Sequence, residues 1–215
     1  MATGTGMRKD YNKIAGQSVE RLAALSDGVF AVAMTLLVLD LKGPAVNLVH
    51  SEGELARALL GVAPHLFVYL MSFLLLGIFW VGQQTQLNHL ARSDRGLSWI
   101  HLSFLFFVSL VPFTTSLMAD YLHYRVSLGL YWLNIAALGS TLYWALCHSQ
   151  SRQLVDGEFG DANSMAIRRR ILSAQALYAL GAALCVIDNV VSLGVILLVQ
   201  LSYALGLGLP RRHSD

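Results

Sequence analysis

The first chemically suggestive residue is a carboxylate in an apolar setting. In RLAALSDGVFAVAMTLLVLDLK, from Arg21 to Lys42, Asp27 follows Ser26 and precedes a long apolar run. A charged side chain at the centre of a membrane helix costs about 2.5–3.5 kcal/mol on insertion scales, so it is kept where it is paired, wetted or used. Arg21 is the nearest cation, but six residues at about 100° each put the two side chains roughly 120° apart around a helix. Partners for Asp27 must then come from other segments. Trp80, Gln83 and His101 carry suitable donors and fall at the matching end of theirs. Two roles stay open: a polar knot that staples helices together, or direct contact with a transported species.

A second set lies further along the same segment. Val32, Leu36 and Leu39 are spaced i, i+4, i+7, and Thr35 precedes Leu36, so the four share one broad face. Any apolar helix offers such a stripe, and alone it reads as core packing or lipid contact. Leu37 is expected to face lipid. His65, His101 and His148 fall in or near apolar segments and are of the type that ligates haem. Two of them lie near segment ends, where an interfacial histidine is the ordinary explanation. Cys147 and Cys185 sit inside apolar runs without CxxC or zinc-type spacing and read as small buried apolar side chains. No cofactor and no resident metal are expected, and no enzymatic activity.

The elements that position these residues follow from composition. The chain of 215 residues is 55% hydrophobic and only 13% charged. That is about half the charged fraction of a soluble domain, too little to cover a water-facing surface. A bilayer core takes about 20 apolar residues per helix, and six stretches qualify. They cover roughly 19–41, 60–85, 98–119, 127–148, 170–187 and 190–209, with Asp188 and Asn189 the only polar break between the last two. The expected fold is all-α: a polytopic membrane protein with six transmembrane helices in a single domain over 1–215. No internal repeat longer than one helix is present. Pro64 is expected in the first turn of the second helix, where proline is tolerated, and Pro112 inside the third, where it kinks the helix or frees a carbonyl.

Basic residues orient the bundle. On one side fall Arg8, Lys9, Lys13, Arg21, Arg92, Arg95, Arg152, Arg168, Arg169, Arg170, Arg211 and Arg212; the rest of the 15 lysines and arginines, Lys42, Arg57 and Arg125, fall on the other. By the positive-inside rule both termini are cytoplasmic and the chain spans the inner (plasma) membrane several times. The start lacks an apolar core followed by a cleavage site, so the first helix is expected to stay in the mature protein. A net charge of +2, with the basic residues at segment ends, gives no nucleic-acid surface.

RLAALSDGVFAVAMTLLVLDL resembles the RxxxFSD-containing first helix of the endosomal and lysosomal transmembrane potassium channel family, whose short bacterial members carry one six-helix repeat. GIFW at the end of the second helix and LSFLFFVSLVPFTT in the third are also similar to that family. The resemblance implies a potassium channel that is modestly selective over sodium, a homotetramer in the lipid bilayer, and a central pore lined by helix 1. It implies no TVGYG filter. Carried over by position, Arg21, Ser26 and Asp27 match the motif, with Trp80 and His101 as expected members of its network. Val32 matches the narrowest ring, Thr35 a hydroxyl ring one turn outward, and Leu36 and Leu39 further pore-facing positions. Leu25 replaces the motif phenylalanine, and Val32 stands where isoleucine or leucine is usual.

The main alternative is a proton-coupled secondary transporter, or a proton pathway, using Asp27. It lacks the paired broken helices and inverted repeats of many such proteins. A membrane redox enzyme ranks below it, and so does a membrane protein with a purely structural role.

Overall fold

The computed structural model describes residues 18–44, 49–156 and 161–206. Six α-helices account for most of them: α1 (Val19–Leu39), α2 (Glu52–Leu87), α3 (Arg95–Asp120), α4 (Arg125–Ser151), α5 (Asp161–Ala183) and α6 (Asn189–Ala204). The first four are long and apolar enough to cross a membrane. The expected spans 170–187 and 190–209 take a different form. Polar residues from Asp161 to Arg170 occupy the first turns of α5, and its apolar half ends in a 3-10 turn at Leu184–Val186. Helix α6 has 16 residues, about 24 Å of rise against a hydrocarbon core of about 30 Å. Asp188 is its N-cap and takes the amides of Val190 and Val191, so the expected polar break is where the α5–α6 hairpin reverses. Residues 207–209 of the last span, and Arg8, Lys9, Lys13, Arg211 and Arg212, lie outside the described residues.

The long helix α2 corrects the expectation for Pro64. Ser51 accepts from the Glu54 amide at 3.2 Å, and the Glu54 carboxylate accepts from the His50 amide at 2.8 Å. This reciprocal capping starts α2 at Glu52, so Pro64 lies in the helix interior and not in its first turn. Pro112 is buried inside α3, and the helix is continuous through it.

Helix α3 packs against α1, α2 and α4, while α5 and α6 complete the bundle against α4 and α2. Where α1, α2 and α3 meet, Phe104 lies between Phe30 and Phe79, with ring centroids 6.0 and 6.3 Å away. Tilted pairs of this kind contribute about 0.5–1.5 kcal/mol beyond the area they bury. Leu37, expected on the lipid side, is 1% exposed and belongs to this core. The reason is angular: Leu37 and Phe30 are seven residues apart and share the face of α1 that α3 covers.

At the end of the bundle where α1 begins, the connection between α2 and α3 is tied to the one after α4. The Ala91 amide donates to the Leu154 carbonyl, and the Asp156 amide to that of His89, each at 2.9 Å. Asp94 caps α3 through the Leu97 amide at 2.7 Å and also holds His148 Nε2 at 3.0 Å. His148 is thus a hydrogen-bond partner of Asp94 at a helix end. Cys147 and Cys185 are free and partly buried.

Candidate ion pathway

Helix α1 presents two opposed faces. Ser26, Phe30, Ala33 and Leu37 are buried against α2 and α3. At about 100° per residue, Val32, Thr35, Leu36 and Leu39 centre on the reverse side. Within one chain that side is bare: Val32 is 57% exposed and Leu39 70%, with Leu36 and Thr35 also exposed. An open apolar groove of about 480 Å³ runs along it, lined by Leu25, Gly28, Val32 and Leu36, with Ser109 of α3 at its edge. Thr35 donates its hydroxyl to its own helix, with Oγ1 at 3.0 Å from the Ala31 carbonyl and 2.9 Å from that of Val32. Its proton is engaged, and the lone pairs of Oγ1 remain free to face outward as acceptors.

The motif residues divide into two networks. Asp27 Oδ1 accepts from Trp80 Nε1 at 2.8 Å and from Gln84 Nε2 at 2.7 Å, all three residues being at least partly open at the surface. Ser26 Oγ accepts from Gln83 Nε2 at 2.7 Å, and the same amide nitrogen meets His101 Nδ1 at 3.2 Å. Ser26, Gln83 and His101 are buried. Of the three expected partners of Asp27, then, Trp80 is placed as expected, whereas Gln83 serves Ser26 and His101 meets Gln83. The residue missed was Gln84. Adjacent residues on a helix point about 100° apart, so Gln83 and Gln84 serve different neighbours, and the run QQTQ carried that signal. Arg21 is exposed, away from Asp27, as the spacing required; among the described residues its guanidinium forms no ion pair. Leu25, in the place of the motif phenylalanine, lines the open groove and is 45% exposed.

The arrangement can do two things chemically. The two networks fix the rotation of α1 against α2 and α3, which points the opposite stripe of aliphatic side chains and one hydroxyl away from the bundle. That stripe offers a boundary to water without charge. Among the described residues no cluster of histidine, cysteine or carboxylate side chains could hold a metal ion.

The profile of the family described as endosomal/lysosomal potassium channel TMEM175 matches residues 21–112, from the motif arginine to the proline of α3. A protein named as a potassium channel in Streptomyces collinus is 33% identical over 190 residues, spanning 85% of this chain and 90% of that one. A second, from Chamaesiphon minutus, is 32% identical over 192 residues, spanning 86% and 93%. The crystal structure of a lysosomal potassium-selective channel TMEM175 homolog from Chamaesiphon minutus superimposes with a TM-score of 0.77 at 29% identity, over 89% of this chain and 98% of that one. The match holds in sequence across the motif helix and in structure across nearly the whole bundle, and the chain belongs to the TMEM175 family.

Proposed function

We propose that four copies of this chain enclose a potassium-conducting pore in the cytoplasmic membrane, with α1 innermost. The single observation that carries this reading is the pair of opposed faces on α1. One is pinned by Asp27–Trp80–Gln84 and Ser26–Gln83–His101, and the other is an aliphatic stripe left bare by its own chain. A lone repeat encloses no channel, and closed cyclic symmetry turns one bare stripe per copy into rings around an axis. The relatives named as potassium channels in Streptomyces and Chamaesiphon, and the potassium-selective channel solved from Chamaesiphon, support potassium as the ion.

Val32 forms the narrowest ring, Thr35 a hydroxyl ring one turn outward, and Leu36 and Leu39 the rings toward the far mouth. A narrow aliphatic ring is impassable when it dewets and conducts when it opens enough to keep water around the ion. Discrimination then rests on partial dehydration, which costs less for K⁺ than for Na⁺, so selectivity is modest. The Thr35 oxygens stand in for lost water. Ser26 and Asp27 position α1 and do not touch the ion. Both termini face the cytoplasm, in keeping with the basic residues at that end. Asp27, on which the transporter reading rests, is held through Oδ1 by two donors on α2.

Purified protein in potassium-loaded liposomes should dissipate a potassium gradient faster than an equal sodium gradient. Absence of any cation flux, with the protein correctly inserted, would contradict the channel reading.

A further inference from the structure

The bare stripe of α1 does not stop at its aliphatic residues. Ser18 caps the helix by accepting from the Arg21 amide at 3.3 Å, so α1 is regular from Val19 and its angular arithmetic holds at Arg21. Arg21 and Leu39 are five full turns apart at about 100° per residue, which puts them on one line along the helix. Gly28 and Val32 fall within about 20° of that line and Thr35 within about 40°. All five residues are exposed within the chain. The stripe therefore begins with a cation, about 16 Å along the axis from Val32. The carboxylates of α1 nearest to Arg21 point elsewhere: Glu20 is about 100° round the helix and Asp27 about 120°, and Asp27 is held by Trp80 and Gln84. Among the described residues no carboxylate lies within ion-pair distance of the Arg21 guanidinium.

We infer that Arg21 of each copy stands at the cytoplasmic mouth of the pore, and that this ring of guanidiniums makes the channel pass potassium inward more readily than outward. The inference rests on the reading of α1 as the innermost helix of a tetramer. A guanidinium keeps its charge at any physiological pH. Like charges gathered at one opening repel cations and lower their local concentration there. Ions that start in the cytoplasm meet this depletion before they reach the constriction, whereas ions that start on the far side meet the constriction first. Screening limits the effect: the field reaches about 8 Å at 0.15 M salt and about 3 Å at 1 M. Other arginines of this end stand behind α1 in the bundle. Arg168 is one of them, stacked 5.4 Å over the Tyr143 ring on α5, a helix that packs on α4 and α6.

Current–voltage curves in inside-out patches, where the cytoplasmic face is defined, read the inference. In symmetrical potassium at about 0.05 M, wild-type inward current should exceed outward current about twofold at equal and opposite voltages, and the ratio should approach one near 1 M. Arg21→Gln should lose most of the asymmetry at low salt. Arg21→Lys, which keeps the charge, and Arg168→Gln, which removes one behind the pore helix, should both retain it. A purely structural role for Arg21 would instead lower assembly in Arg21→Gln and leave the wild-type ratio independent of salt. Should Arg21→Gln fail to assemble, the wild-type salt series decides. Equal inward and outward currents in the wild type at low salt, an asymmetry that salt does not alter, or one that survives Arg21→Gln would overturn the ring while leaving a potassium channel standing. Absence of any potassium current would overturn the channel reading and this inference with it.

Discussion

Thr35 and Gln83, one on each face of α1's surroundings, carry much of the reading. Thr35 gives its proton to the backbone of α1, so what it offers outward is oxygen lone pairs. Thr35→Val keeps the shape and removes only that oxygen. In bilayer recordings we expect the preference for K⁺ over Na⁺ to fall while conductance stays within about twofold, since the ring is no wider. Gln83 is the complementary case. Its amide is shared between Ser26 and His101 in a buried position, and among the described residues its Oε1 has no partner. Interhelical hydrogen bonds in membranes average about 0.6 kcal/mol and reach about 1.7. Gln83→Leu should lower stability in detergent by about 1 kcal/mol, read as a fall in melting temperature, whereas the exposed Leu198→Ala should not. A Gln83→Leu protein as stable as wild type would show that the Ser26–His101 link does not hold α1 in place.

At the scale of elements, the orientation of α1 is the quantity the motif controls. Asp27→Asn keeps an oxygen that accepts from Trp80 and Gln84 and removes only the charge; Asp27→Leu removes the acceptor as well and strands both donors. Assembly and expression should therefore fall more for Asp27→Leu than for Asp27→Asn, and a reversed order would mean that charge, not hydrogen bonding, is what α2 recognises. Much of this was legible beforehand. The 120° separation of Arg21 and Asp27 follows from helix geometry alone, at about 100° per residue, and so does the shared face of Val32, Thr35, Leu36 and Leu39. Which polar residue on α2 meets which on α1 was not legible, because Gln83 and Gln84 are chemically identical and only the rotation of α2 tells them apart. The same limit explains Leu37: an unbroken apolar helix does not mark its buried side, and the aromatic contacts of Phe30 and Phe79 with Phe104 decide it. Pro64 was misplaced because hydropathy marks the apolar stretch and not the capped, more polar turns before it.

For the whole molecule, the central question is what covers the bare stripe of α1. A homotetramer with that stripe inside should have about four times the mass of the 23.5 kDa chain in detergent, and a conducting monomer would exclude it. The most direct test alters the narrowest ring. Val32→Asn changes four side chains at once in a four-fold pore and lets water persist through the constriction, which removes the dehydration step on which discrimination rests. Val32→Leu does the opposite. In single-channel bilayer recordings we expect higher conductance and a lower K⁺ over Na⁺ preference for Val32→Asn, and lower conductance with selectivity kept for Val32→Leu. Unchanged current and unchanged selectivity in Val32→Asn would mean that α1 does not line the pathway.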